Sequence, residues 1–194
     1  ASDWSSDVCS SDLEAKYTGK LAVVNPTTGC GGTNCVTSVL NAWQDGVPVL
    51  FISGNVRHDN TAQWLKDHKD VRVRHYGAQE HHIIDTVKSI TKLTGFITSP
   101  ANVMYSLHMA VDYATKGRPG PVWIDIPSNI QAAPMPEHYA FEYVGLKSYR
   151  TKFDSFKLTS ILHCSHRPVV LAGVGIRQAG CVEQFIKFVE KYQL

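Results

Sequence analysis

Residues 47–54 read Val-Pro-Val-Leu-Phe-Ile-Ser-Gly, and residues 117–127 read Gly-Arg-Pro-Gly-Pro-Val-Trp-Ile-Asp-Ile-Pro. Each holds a short, almost wholly apolar run, Val47–Ser53 and Val122–Ile126, bounded by glycine or proline. Strands that face water on one side alternate apolar with polar residues. A continuous run of this length instead marks a strand covered on both faces, as in a parallel sheet flanked by helices. Outward from these runs the pattern alternates. Leu21–Asn25 is a short apolar strand, and a glycine-rich turn follows over Pro26–Asn34. A helix with Val36, Val39, Leu40 and Trp43 on one face then runs to about Gln44, where Asp45-Gly46 stops it. A second helix is predicted over Glu80–Ile90. A third starts at Pro100, with Val103, Leu107, Ala110, Val111 and Ala114 as its stripe and Gly117 as its end. Strands alternating with helices predict an α/β fold with a mainly parallel sheet. Residues 55–77, polar and rich in His and Arg, read as a surface excursion.

Beyond Pro127 the periodicity fades, and prolines at 127, 134 and 136 suit a linker over 128–166. Pro168–Ala172 reads as a new strand, Gly173-Val174-Gly175 as a turn, and Val182–Leu194 as a helix, the first β-α unit of a second domain. The first thirteen residues share no pattern with the rest. Asp3–Leu13 (DWSSDVCSSDL) resembles the conceptual translation of a sequencing adapter, so 1–13 is expected to be a non-native head. The expected organisation is thus head 1–13, partial domain 14–127, linker 128–166 and the start of a second domain at 167–194, with both ends reading as cut.

The chain has 194 residues, 43% of them hydrophobic, and 19 Lys+Arg against 17 Asp+Glu. This near balance, with no clustered basic stripe, speaks against a nucleic-acid partner. No apolar run has the length of a membrane span, and no membrane partner is expected. Five cysteines, odd in number and without a C-x-x-C pair, fit a reducing compartment, and the cytoplasm is the expected location. His81 and His82 are adjacent and diverge on a helix, while His58, His68 and His75 lack i, i+4 pairing. No metal ligand set is assigned.

The turn Thr27-Thr28-Gly29-Cys30-Gly31-Gly32-Thr33-Asn34 is where a ligand could approach backbone closely. Its spacing is neither G-x-G-x-x-G nor G-x-x-x-x-G-K-[ST], so dinucleotide-fingerprint and ATPase readings fail. The order T-T-G-x-G-G-T-N, L-N-A-W-Q-D-G-V-P-V-L-F-I-S-G, G-A-Q-E, G-R-P-G-P-V-W-I-D-I-P resembles the thiamine-diphosphate-dependent acetolactate synthase large subunits and their relatives. That resemblance implies an incomplete, parallel-sheet pyrimidine-binding domain followed by the start of a Rossmann-like α/β central domain. It implies thiamine diphosphate with Mg2+ bound outside this segment, possible FAD, a small 2-oxo acid substrate, and a homodimer or tetramer of the full-length protein.

By the resemblance Thr27, Gly29, Gly31 and Asn34 match the turn that packs on the cofactor's aminopyrimidine across a dimer interface. Cys30 replaces the family's usual proline and is expected to be a small buried filler. Gln79 matches a glutamine lining the active-site channel, and Ala78 departs from the phenylalanine of true acetolactate synthases. Lys88 falls where those enzymes carry an arginine touching FAD; a solvated helix lysine is the plainer reading. Gly173 and Gly175 match a region along FAD, or serve packing. Counting back from Gly29 by the family's spacing places the catalytic glutamate near Trp4, inside the head. No catalytic residue is therefore assigned, and residues 1–194 alone are expected to be inactive. The alternatives are another 2-oxo-acid decarboxylase or carboligase of the superfamily, or a non-catalytic nucleotide-binding module.

Overall fold

The structure is a computed structural model that describes residues 13–134, 136–137, 142–147 and 153–194. The chain divides into two compact units, Ala1–Lys147 and Ser148–Leu194. The expected head lies outside the described residues apart from Leu13.

The first unit is built on four parallel strands: β1 (Ala22–Val24), β2 (Val49–Asn55), β3 (Leu93–Phe96) and β4 (Val122–Pro127), in the order β1-β2-β4-β3. The two apolar runs are the central pair β2 and β4, in register from Leu50 opposite Val122 to Asn55 opposite Pro127. Alternation sends their side chains to two cores. Helices α1, described over residues 13–18, and α2 (Cys30–Asn34) precede α3 (Val36–Asp45). Val49, Phe51 and Trp123 pack with Val39 and Ala42 of α3 and with Ile83 and Val87 of α5 (Ile83–Val87). Leu50, Val122 and Ile124 pack on the other face with Ala110 and Ala114 of α6 (Val103–Thr115) and Ile130 of α7 (Ser128–Gln131). Register partners Phe51 and Trp123 stack with ring centroids 4.9 Å apart and planes within 4°. The α/β architecture and parallel sheet are thus as the apolar runs predict.

Several local expectations change. The segment 55–77 is not an irregular excursion: it contains a 3-10 turn, His58–Asn60, and the helix α4 (Ala62–Lys69). Thr61 caps α4, its Oγ1 accepting from Trp64 N at 3.1 Å, a signal visible as Thr before a helical run. The helix expected over 80–90 is only Ile83–Val87. Gln79 has φ +57°, and a left-handed residue just before Glu80 denies the helix its first turn. The edge strand β3 carries no clear sequence signal, because Leu-Thr-Gly-Phe is short and only half-buried. In α3 the buried face is Ser38, Val39 and Ala42, whereas Leu40 and Trp43 are each 40% exposed. Val111 of the α6 stripe is likewise exposed. Gly46 ends α3 in a left-handed conformation, as Asp45-Gly46 predicts.

The tract expected as a linker holds α7 and α8 (Ser155–Cys164), the latter capped by Asp154, whose Oδ1 accepts from Lys157 N at 3.0 Å. Residues 142–147 are tied to α6 through Asp112, whose Oδ2 accepts from Tyr143 Oη at 2.8 Å and Leu146 N at 2.9 Å. The second unit contains α8, α9 (Gly175–Gln178) and α10 (Val182–Tyr192). The strand expected at Pro168–Ala172 is not formed; Val169 is 93% and Leu171 99% exposed. An extended segment gains its backbone hydrogen bonds from a neighbour, and the described residues of this unit supply none.

Candidate functional site

The glycine-rich turn joins β1 to α3 at the carboxyl edge of the sheet, where parallel α/β folds place their ligands. Most of it is not open loop. Residues Cys30–Asn34 form a five-residue helix, α2, entered through Gly29 at φ +61°. Thr33 N donates to Gly29 O at 3.0 Å and Cys35 N to Gly32 O at 3.0 Å.

Gly29 is where the turn meets the Gly77–Glu80 segment. A Cβ on Gly29 would stand 2.1 Å from the Gln79 carbonyl oxygen, so the backbones touch there and only glycine fits. Gly77 is equally constrained, since a Cβ there would meet Val56 Cγ2 at 2.7 Å and Asn60 O at 2.8 Å. Glu80 fastens the same segment: Oε1 accepts from Ala62 N at 2.8 Å and Oε2 from Tyr76 N at 2.9 Å. Gly77, Gln79 and Glu80 are thereby all accounted for in a wall beside the turn, with Ala78 exposed.

Thr27, Cys30 and Asn34 are exposed and Gly31 is half-buried, so the turn offers an open face beside an exposed Gln79. Cys30 is not the expected buried filler; the buried thiol is Cys35, 1% exposed and packed in the core. Burial pushes the Cys35 thiol up to about 11. Lys88 follows α5, is exposed, and donates to Asp85 Oδ1 at 2.9 Å. Gly173 and Gly175 lie in the second unit, exposed, and a Cβ on either would meet nothing within 4 Å. The turn and Gln79 therefore come together, Lys88 is held by Asp85, and the two later glycines are under no packing constraint.

Beneath the turn lies a polar chain that sequence reading missed. Asp125, 1% exposed, accepts from Ser53 Oγ at 2.7 Å and from Asn55 Nδ2 at 2.7 Å. Trp123 Nε1 donates to Ser53 Oγ at 2.8 Å. Asn55 Oδ1 accepts from Thr28 Oγ1 at 3.1 Å and Val56 N at 2.8 Å, which links Asp125 to the turn itself. Burial pushes the Asp125 carboxyl up to about 6, against the opposing pull of the two hydrogen bonds and of His82. The signal was an aspartate inside the otherwise apolar run Val-Trp-Ile-Asp-Ile, opposite a serine in the partner run. Thr27, Thr28, Gly29, Ser53, His81 and Asp125 border one crevice.

Residues 8–89 match the family described as thiamine pyrophosphate enzyme, N-terminal TPP binding domain. The acetolactate synthase large subunit of Lactococcus lactis is 34% identical over 185 residues, covering 93% of this chain and 30% of that protein. By these two matches the chain is similar to thiamine pyrophosphate enzymes and, over most of its length, to an acetolactate synthase large subunit. The large subunit from Haemophilus influenzae is 29% identical over 189 residues, covering 94% of this chain and 31% of its own length. The mitochondrial catalytic subunit of Saccharomyces cerevisiae is 30% identical over 173 residues, covering 84% and 23%. The acetolactate-synthase-like chain thus spans less than a third of the length of these relatives. The family match begins at residue 8, within the segment expected to be a non-native head, and it includes both the glycine-rich turn and Gly77–Glu80.

Among the described residues, no helix is long and apolar enough to cross a membrane.

Proposed function

We propose that this chain is a section of an enzyme that uses thiamine diphosphate and Mg2+ to decarboxylate a 2-oxo acid such as pyruvate and join the remaining fragment to a second carbonyl compound. The established role of acetolactate synthases suggests a place in branched-chain amino-acid biosynthesis, in the cytoplasm. When bound, the cofactor supplies the nucleophilic carbon that such chemistry requires. The residues present fit it as one wall of a site. Thr27, Gly31 and Asn34 are exposed or half-buried on a turn fixed by the buried Gly29, with Cys30 beside them and Gln79 alongside. Asp125, through Asn55 and Thr28, holds that turn from below. Mg2+ and the catalytic glutamate belong to parts of the enzyme not represented by assigned residues. For FAD, where used, Lys88 is the candidate contact of the first unit, and Gly173 and Gly175 are those of the second, each taken by itself. A homodimer or tetramer is the proposed assembly, and the exposed Leu40 and Trp43 of α3 are in keeping with it.

The observation that carries this reading is the contact of Gly29 with Gln79, which brings two family motifs fifty positions apart into one wall. Ala78, exposed beside Gln79, favours a second reading in which the same scaffold serves a different 2-oxo acid or acceptor. Product analysis separates the two. The full-length protein carrying this chain is expected to release carbon dioxide from pyruvate only when thiamine diphosphate and Mg2+ are present. Acetolactate as the product supports the first reading, and another ketol or a free aldehyde supports the second. Tight NAD binding with no cofactor-dependent turnover of any 2-oxo acid would overturn both.

A further inference from the structure

The first unit carries a groove of about 450 Å3 between α4, residues 70–82 and α5, bordered by Lys66, Arg72, Arg74, Glu80, His82 and Asp85. Its size falls in the range of small-molecule sites. Its charges are unevenly engaged. Both oxygens of Glu80 are taken by the Ala62 and Tyr76 amides. Asp85 is held by Lys88 at 2.9 Å and stands 3.5 Å from His82 Nδ1, leaving it only the longer-range field of Lys66. Among the described residues the side chains of Lys66, Arg72 and Arg74 have no hydrogen-bond or ion-pair partner. His82 Nδ1 is enclosed and makes no hydrogen bond. The acids of this groove are therefore engaged elsewhere, and its three cations, Lys66, Arg72 and Arg74, outnumber the two carboxylates, Glu80 and Asp85, one of which is already paired with Lys88.

Such a surplus in a concave place attracts an anion. Two guanidinium groups favour a tetrahedral oxyanion, because each planar fork donates two parallel bonds to its oxygens. We propose that the groove binds the phosphate end of a small organic molecule, with Arg72 and Arg74 gripping the phosphate and Lys66 adding charge. His81 borders both this groove and the crevice under the glycine-rich turn, so the two spaces adjoin. The proposal does not rest on the thiamine reading, and its test uses no thiamine.

The test is calorimetric titration of the 194-residue chain with inorganic phosphate, ribose 5-phosphate, ribose and acetate. Both phosphates are expected to bind, with an affinity that falls as salt rises, and ribose and acetate are not. Losing charge-assisted bonds, R72Q/R74Q should weaken phosphate binding by about tenfold or more, whereas K20Q, an exposed lysine away from the groove, should leave it unchanged. R72K/R74K, which keeps charge but loses the forks, should fall between. Arg72 and Arg74 are exposed, so their replacement leaves the core intact. Absence of phosphate binding at millimolar concentration would overturn the proposal. So would R72Q/R74Q binding like the unaltered chain, exclusion of ribose 5-phosphate, or acetate competing equally.

Discussion

Replacing Asp125 with Asn tests whether the buried polar chain under the glycine-rich turn is held at a cost that depends on pH. Burial raises the carboxyl from 3.8 to about 6. The folded state therefore holds a proton that the unfolded chain has released between these values, and stability must fall as pH rises through that window. The full difference corresponds to about 3 kcal/mol, of which linkage assigns about 2 kcal/mol at pH 4, about 1 at pH 5 and almost none at pH 7. Urea unfolding of the unaltered chain, followed by the buried Trp123–Phe51 stack through near-ultraviolet circular dichroism, should show this loss. In D125N the amide must present a donor to either Asn55 Nδ2 or the Ser53 hydroxyl, leaving one group unmatched at a cost of about 1–3 kcal/mol. That penalty does not titrate. The difference between the two proteins should thus change by about 2 kcal/mol from pH 4 to pH 7, with D125N comparatively better at neutral pH. Asp112 does not confuse the test. Its bonds from Lys116, Leu146 and Tyr143 lower it to about 2, so its contribution is lost only as pH falls below the ordinary carboxylate range. Parallel pH profiles for the two proteins between pH 4 and 7 would refute the assignment of a raised Asp125.

Gly29→Ala would place a Cβ 2.1 Å from the Gln79 carbonyl oxygen at φ +61°, and thermal or urea unfolding should show a loss of about 2–4 kcal/mol. Glu80→Ala leaves the Ala62 and Tyr76 amides without their acceptor; a loss of about 1–2 kcal/mol is expected, with hydrogen exchange accelerated at those two amides. At pH 8 an aromatic disulfide reagent should modify Cys30, Cys164 and Cys181, which are exposed, and spare Cys35 until the chain unfolds; rapid labelling of Cys35, read by peptide mass, would contradict its burial.

The central sheet was legible because β2 and β4 announce themselves by composition. Runs of seven and five residues between glycines and prolines, apolar but for Ser53 and Asp125, have one economical home in an α/β fold, and the two runs are each other's neighbours. The glycine-rich turn was legible for the same local reason. What sequence could not reveal is what each glycine avoids. Gly29 is glycine because of the Gln79 carbonyl, and Gly77 because of Val56 and Asn60, contacts set by tertiary structure rather than by the turn's own chemistry. Likewise Glu80 reads as the start of an amphipathic helix. Its carboxylate instead caps backbone on α4 and in the preceding loop, so the helix begins three residues later. Asp125 has no legible role in the sequence, because an acid in an apolar strand has meaning only once Ser53 and Asn55 stand beside it.

The error at 168–172 has a different origin. Pro-Val-Val-Leu-Ala satisfies the same compositional test as Val47–Ser53, yet Val169 and Leu171 are almost wholly exposed while Val49 and Phe51 are buried. Nothing in the two strings distinguishes them. The difference lies in company: Val49–Asn55 has β1 on one side, β4 on the other, and helices on both faces. The described part of the second unit has helices alone. Apolar periodicity reports which residues gain by leaving water, about 25 cal/mol for each Å2 of apolar surface removed, but burial requires a surface to receive them. The same reasoning applies to Leu40 and Trp43, which share a helix face with Val36 and Val39 and remain exposed. Their pattern is a statement about what would stabilise them, and whether a partner surface meets them is decided by neighbours rather than by their own sequence.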